Sequence, residues 1–174
     1  LPAENVEIDG LIYQINKEED CANIVSVNKS FQNENVIIPR SIYYKSHNYI
    51  VSSILAEAFH DSKIKKVEFD SNSEFKKIEK NAFCCCKIEC LTIPSSLVNL
   101  EKGWCFESGK LMKIIVSPSN PRYKSYGDKM IIGKSAIEQE NYDTLVFCSR
   151  DVKEVTIPSF IEIIGSSAFY KCYE

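Results

Sequence analysis

The chain writes almost the same phrase twice: TIPSSLVNLEKGWCF at 92–106 and TIPSFIEIIGSSAF at 156–169. A phrase repeated within one chain marks a repeated supersecondary unit, and its period restricts the possible folds more than composition does. Aligning each Phe that follows a small residue gives Ala58-Phe59, Ala82-Phe83, Cys105-Phe106 and Ala168-Phe169. The first steps are 24 residues (59 to 83) and 23 residues (83 to 106). Five, eight and ten residues after the first three Phe the same apolar slots recur: Ile64, Val67, Phe69; Ile88, Leu91, Ile93; Leu111, Ile114, Val116. Val152, Val155 and Ile157 form a fourth set, with Phe147 five residues ahead of it. A further aliphatic, Ile54, Ile78, Leu100 or Ile164, stands five or six residues before each Phe.

Within a unit, inward Val67 and Phe69 alternate with outward Lys66 and Glu68, the period-2 pattern of a strand. Pro39, Pro94 and Pro158 directly follow Ile38, Ile93 and Ile157, where a residue without an N–H ends a ladder. The unit length and the L-x-x-L-x-L-like core predict a leucine-rich-repeat-like solenoid. Its short parallel strands stack in a curved ladder, mainly β, with an irregular or short helical convex side. Phe59, Phe83, Phe106 and Phe169 are expected as rungs of one apolar column, each behind a small residue at a crowded bend. Trp104 is expected to pack.

The pattern VTIPSFIEIIGSSAFYKC resembles the BspA-like leucine-rich repeat, a class found in surface proteins of bacteria and protozoan parasites. That family repeats Ile-Pro, six residues, Gly, then Ala-Phe-x-x-Cys, and Pro158, Gly165, Ala168, Phe169 and Cys172 match it; Phe83 with Cys86 repeats the ending. The resemblance covers about residues 36 to 174. Phe59 is followed three residues on by Ser62, and Phe106 by Gly109, where the family favours Cys. The resemblance implies an adhesive, protein-binding role and a cell-surface or secreted location.

At 174 residues the chain suits one domain. Residues 1–35 read as an N-terminal hairpin cap, with 6–8 and 11–15 flanking the Asp9-Gly10 turn. Residues 36–116 are repeats, 117–150 an inserted hairpin pairing 129–132 with 144–147 around a long mobile tip, and 151–174 a further, truncated repeat. Tyr43, Tyr44, Tyr49 and His47 cluster in extra chain after Pro39, either as a lateral bulge or covering the edge of the cap. The chain opens on Leu1 without a leader, which reads as a processed or trimmed segment. Asn28-Lys29-Ser30 fits the glycosylation pattern, one that arises often by chance.

Net charge is −3, with both signs interspersed, so no basic stripe exists for nucleic acid. No apolar run approaches the ~20 residues of a membrane helix. Eight Cys raise disulfides and metal. Cys84, Cys85, Cys86 and Cys90 do not form paired C-x2-C spacing, although stacking would bring His60 near Cys84; no metal or other cofactor is assigned. Repeat slots account for Cys86, Cys105 and Cys172 as small buried hydrophobes. Cys90 is an outward thiol without a neighbouring base or cation, and no nucleotide-binding, metalloprotease or nucleophile-elbow string occurs, so no catalytic residue is assigned.

Parallel strands align their outward residues into rows, the usual binding surface of repeat proteins. The candidate binding residues are therefore Lys66, Glu68, Cys90, Thr92, Lys113, Ile115, Glu154 and Thr156. Mixed and moderately polar, the face suits a protein ligand: host, matrix or another surface protein. The first reading is a non-enzymatic adhesion module. The second is a structural array that self-associates through an uncapped C-terminal end, since open edges invite pairing. A Cys-dependent hydrolase is the third and has the least support.

Overall fold

The computed structural model describes residues 3–172. Asp9 and Gly10 both take positive φ, 49° and 81°, the two-residue turn that suits hairpin twist. They join β1 (Glu4–Ile8) to β2 (Leu11–Asn16), with Ile8 opposite Leu11. A Cβ on Gly10 would meet the Phe31 ring at 1.9 Å, so both space and backbone require glycine there. β3 (Cys21–Val27) adds antiparallel to β2, making three strands where a hairpin was expected. After β4 (Asn35–Ile38) a second tight hairpin joins β5 (Ser41–Tyr44) to β6 (His47–Ile54) through Lys45 and Ser46, at φ 48° and 64°. This hairpin is the tyrosine cluster. Tyr49 is buried and edge-on to His47, Tyr44 donates its hydroxyl to Glu4 at 2.9 Å, and Tyr43 stays 67% exposed.

From here the chain coils, and the coils before the insertion contribute short strands of two kinds. One comes from the predicted slots: β7 (Lys66–Phe69), β9 (Cys90–Ile93) and β11 (Lys113–Val116). With β4 they form a four-stranded parallel sheet in the order β11-β9-β7-β4. The other comes from the aliphatic before each corner: β8 (Lys77–Ile78) and β10 (Asn99–Leu100) extend β6, pairing Ile54 with Ile78 and Ile78 with Leu100. Val67, Ile88, Leu91 and Ile78 face inward between the two ladders and are fully buried. Glu79 and Glu101, one coil apart, each accept the main-chain N–H of the coil before, from Ala56 and Lys80, at 3.0 Å. No helix occurs among the described residues, so the side between ladders is irregular turn. None is therefore long and apolar enough to cross a membrane.

The corners correct one part of the sequence register. Phe59 donates its N–H to Ala82 O at 2.9 Å and Phe83 to Trp104 O at 3.1 Å. Trp104 thus occupies the slot of Ala58 and Ala82, and Cys105 occupies the Phe slot. Left-handed residues repeat with the same offset: Glu57, Asn81 and Gly103 at one position, then Asp61, Cys85, Glu107 and Lys171 at another. Six residues separate Cys105 from Leu111, against five from Phe59 to Ile64 and from Phe83 to Ile88, so counting back from the strand lands one residue late. Phe106 is accordingly 38% exposed and packs on Tyr170 at 4.7 Å rather than forming a rung. The buried column runs Phe59, Phe83, Trp104, Phe147, at 5.1, 6.3 and 6.5 Å between successive ring centroids.

The insertion holds three strands rather than two: β12 (Tyr123–Tyr126), β13 (Met130–Gly133) and β14 (Thr144–Cys148) form an antiparallel meander. The tight turn lies at 127–129, and the stretch expected as a mobile tip is tied by Asp143, which accepts from Ser135 N at 2.8 Å and Ser135 Oγ at 2.5 Å. β15 (Ile163–Ile164) then pairs parallel with β14. Met130, Ile132, Leu145, Cys148 and Ala168, with half-buried Phe169, make a second, smaller core beside the main one. Between them lies Arg150, buried, with its guanidinium donating to Ala168 O at 2.9 Å and Ser167 O at 2.8 Å and its carbon 4.8 Å from the Phe147 ring centroid.

Candidate protein-binding face

The outward residues of the β4-β7-β9-β11 sheet stand in two rows because the strands are parallel and in register. Asn35 pairs with Lys66, Lys66 with Cys90, and Cys90 with Lys113; in the next row Ile37 pairs with Glu68 and Thr92 with Ile115. Lys66 and Glu68 form an ion pair at 3.0 Å, with side chains 39% and 36% exposed. Cys90 and Thr92 are half-buried beside them. Exposed apolar side chains close the second row at both ends, Ile37 at 63% and Ile115 at 44%. The face therefore carries a neutralised polar centre between two aliphatic flanks.

Six of the predicted residues, Lys66, Glu68, Cys90, Thr92, Lys113 and Ile115, share this sheet. Glu154 and Thr156 do not. Residues 152–160 pair with no strand among the described residues, and both side chains are exposed off the ladder. The meander takes the place of a fifth ladder strand, so the apolar slots at Val152 and Val155 pack against the second core without main-chain pairing. Asn35 and Ile37 are the residues the sequence reading left out. Their signal was present, since Ile38-Pro39 ends a strand as Ile93-Pro94 does.

The thiols are unpaired: all eight cysteines are free. Burial raises the pKa of Cys86 to about 11 and of Cys105 to about 12, and burial also pushes Cys21, Cys90 and Cys148 up. Cys85 is held up at about 12 by its hydrogen bond to Glu107. A nucleophilic thiol needs the opposite shift. At one corner, His60, Cys84 and Cys85 bring their ligand atoms within 4.8 Å of one another.

Residues 28–174 match the BspA type leucine-rich repeat region in 6 copies. Among solved structures the chain is similar to the pneumococcal vaccine antigen PcpA, at 15% identity and a TM-score of 0.50, covering 96% of this chain and 62% of that one. A leucine-rich cell surface protein from Faecalibacterium prausnitzii is 12% identical with a TM-score of 0.47, over 95% of this chain and 73% of that one. A leucine-rich repeat protein from Bacteroides capillosus is 17% identical with a TM-score of 0.47, over 65% and 98%. No curated protein matches. The chain thus spans about six tenths of PcpA's structure, and that likeness concerns the fold alone. With two parallel ladders joined by repeating corners, and a match running through all of them, the chain belongs to the BspA-type leucine-rich-repeat family.

Proposed function

We propose that this chain is a non-enzymatic protein-binding module of a cell-surface or secreted protein, contacting a host, matrix or other surface protein through the outward face of the β4-β7-β9-β11 sheet. The observation that carries the reading is the pair of exposed aliphatics, Ile37 and Ile115, flanking the Lys66–Glu68 ion pair in aligned rows. Aliphatic anchors beside a neutralised polar strip suit a protein ligand, whereas a phosphate polymer requires unpaired cations. The raised thiol pKa values favour a binding module over a Cys-dependent hydrolase.

The test is binding of purified chain to immobilised matrix proteins, with Ile37→Asp and Ile115→Asp introduced together. The expected outcome is saturable binding by the wild type and a loss of at least about tenfold in the double variant, since desolvated anchors dominate interface energetics. Unchanged binding by a variant with native circular dichroism refutes this face.

A second reading is end-to-end association. Ile157, Phe160, Ile163 and Ile164 are 42%, 46%, 44% and 47% exposed, an apolar patch on the coil that carries β15. Light scattering after size exclusion separates the readings: mass that rises with concentration supports association, and a concentration-independent monomer excludes it.

A further inference from the structure

Repeat registers stack more than hydrophobic residues. The corner positions following the Phe slot are His60 and Asp61 on one coil, Cys84 and Cys85 on the next, and Phe106 and Glu107 on the third. Cys86, buried one position further on, takes the same place as Ser62, Ser108 and Cys172. The repeat therefore accounts for Cys86 and leaves Cys84 and Cys85 without a packing role, half-buried and exposed respectively.

On a strand, adjacent side chains point to opposite faces, but Cys85 sits at φ 55°, and the corner turns both thiols the same way. Their sulfurs are 3.6 Å apart. Two thiolates on one tetrahedral zinc, each about 2.3 Å from the ion, lie about 3.8 Å apart. From the following coil Glu107 Oε2 comes within 2.8 Å of Cys85 Sγ and 3.8 Å of Cys84 Sγ. From the preceding coil the His60 ring nitrogen lies within 4.8 Å of both sulfurs. That ring is exposed. Glu107 and Glu57 add negative potential beside the thiols.

We propose that His60, Cys84, Cys85 and Glu107 form a zinc site that bridges three successive corners of the solenoid. Two sulfurs, an imidazole and a carboxylate make four ligands of the types zinc accepts, and the thiolates and imidazole select a borderline-soft ion over calcium or magnesium. Binding forms two Zn–S bonds and releases the two thiol protons to solvent, so no oxidant or reductant is consumed.

The experiment is titration of the reduced, metal-stripped chain with Co²⁺, followed by displacement with Zn²⁺. One equivalent of cobalt is expected to produce thiolate-to-cobalt charge transfer and the visible absorption of a tetrahedral site, both lost on adding zinc. Cys84→Ser with Cys85→Ser is expected to abolish the signal, Glu107→Gln to weaken binding by roughly 10-fold or more, and Cys172→Ser, at the slot that Ser62 and Ser108 fill on other coils, to leave it unchanged. All these side chains are exposed or half-buried, and circular dichroism checks each fold. Absence of the thiolate band in the wild type, equal metal binding in the double serine variant, or wild-type affinity in Glu107→Gln overturns the proposal.

Discussion

Arg150 is the residue on which the last coil depends. Its guanidinium is buried without a carboxylate partner among the described residues, and it donates to the carbonyls of Ser167 and Ala168. Arg150→Met keeps the volume and removes both guanidinium bonds, leaving Ala168 O with the Cys148 N–H and Ser167 O with the Tyr170 N–H alone, an expected loss of about 1–3 kcal/mol, read as a Tm drop of roughly 2–4 °C per kcal/mol at this chain length. Asn120 does a similar task at the mouth of the meander. Its amide donates to Pro94 O and Leu97 O at 2.8 Å, and its carbonyl accepts from Arg122 N at 2.9 Å and Tyr123 N at 2.8 Å. Asn120→Ala removes all four bonds, with Pro94 O keeping only the Leu97 N–H, and a denaturant titration is expected to show a loss at least equal to that of Arg150→Met. Neither role was legible in the sequence, because both residues answer carbonyls more than fifteen positions away and follow no period. Phe59 and Phe83 were legible because they do follow one. Cys105 and Trp104 were misplaced by a single extra residue before Leu111, which periodicity absorbs without trace.

At the level of strands, the slots after each corner announced β7, β9 and β11 to the residue, since a buried strand in a parallel ladder must alternate. β8 and β10 were legible only as lone aliphatics: two residues carry no period, and pairing rather than pattern makes them strands. β12 was hidden because only Tyr123 of its four residues is buried. The N-terminal strand β1 is held by charge as well as pairing. Glu4 accepts from Lys45 and Tyr44 and pairs with Lys17 at 3.0 Å, and these bonds, Lys45 first, depress its pKa from 4.5 to about 2. A depressed carboxylate stabilises the fold above its unfolded pKa and loses that contribution as pH falls toward the folded one. The difference in urea midpoint between wild type and Glu4→Gln is therefore expected to be full above pH 4.5 and to close as pH falls toward 2. A gap that stays constant across that window assigns the stabilisation to packing instead.

Over the whole molecule, a ladder architecture makes each coil answerable to its two neighbours, and the binding face is a product of that register rather than of any one strand. Of that face, the shared sheet was legible from alternation, while the loss of Glu154 and Thr156 from it was not. Their slots have the right spacing, but a neighbouring strand must be present to pair, and the meander stands in its place. The meander also divides the interior. Met130, Ile132, Leu145 and Cys148 pack apart from the column of Phe59 and Phe83. Amide protons report such a division directly: those of β7 and β9 are expected to exchange with deuterium only on global opening, and those of β14 and β15 at a lower free energy and at a common rate. A solenoid interrupted in this way can shed its final turn while the rest stays closed.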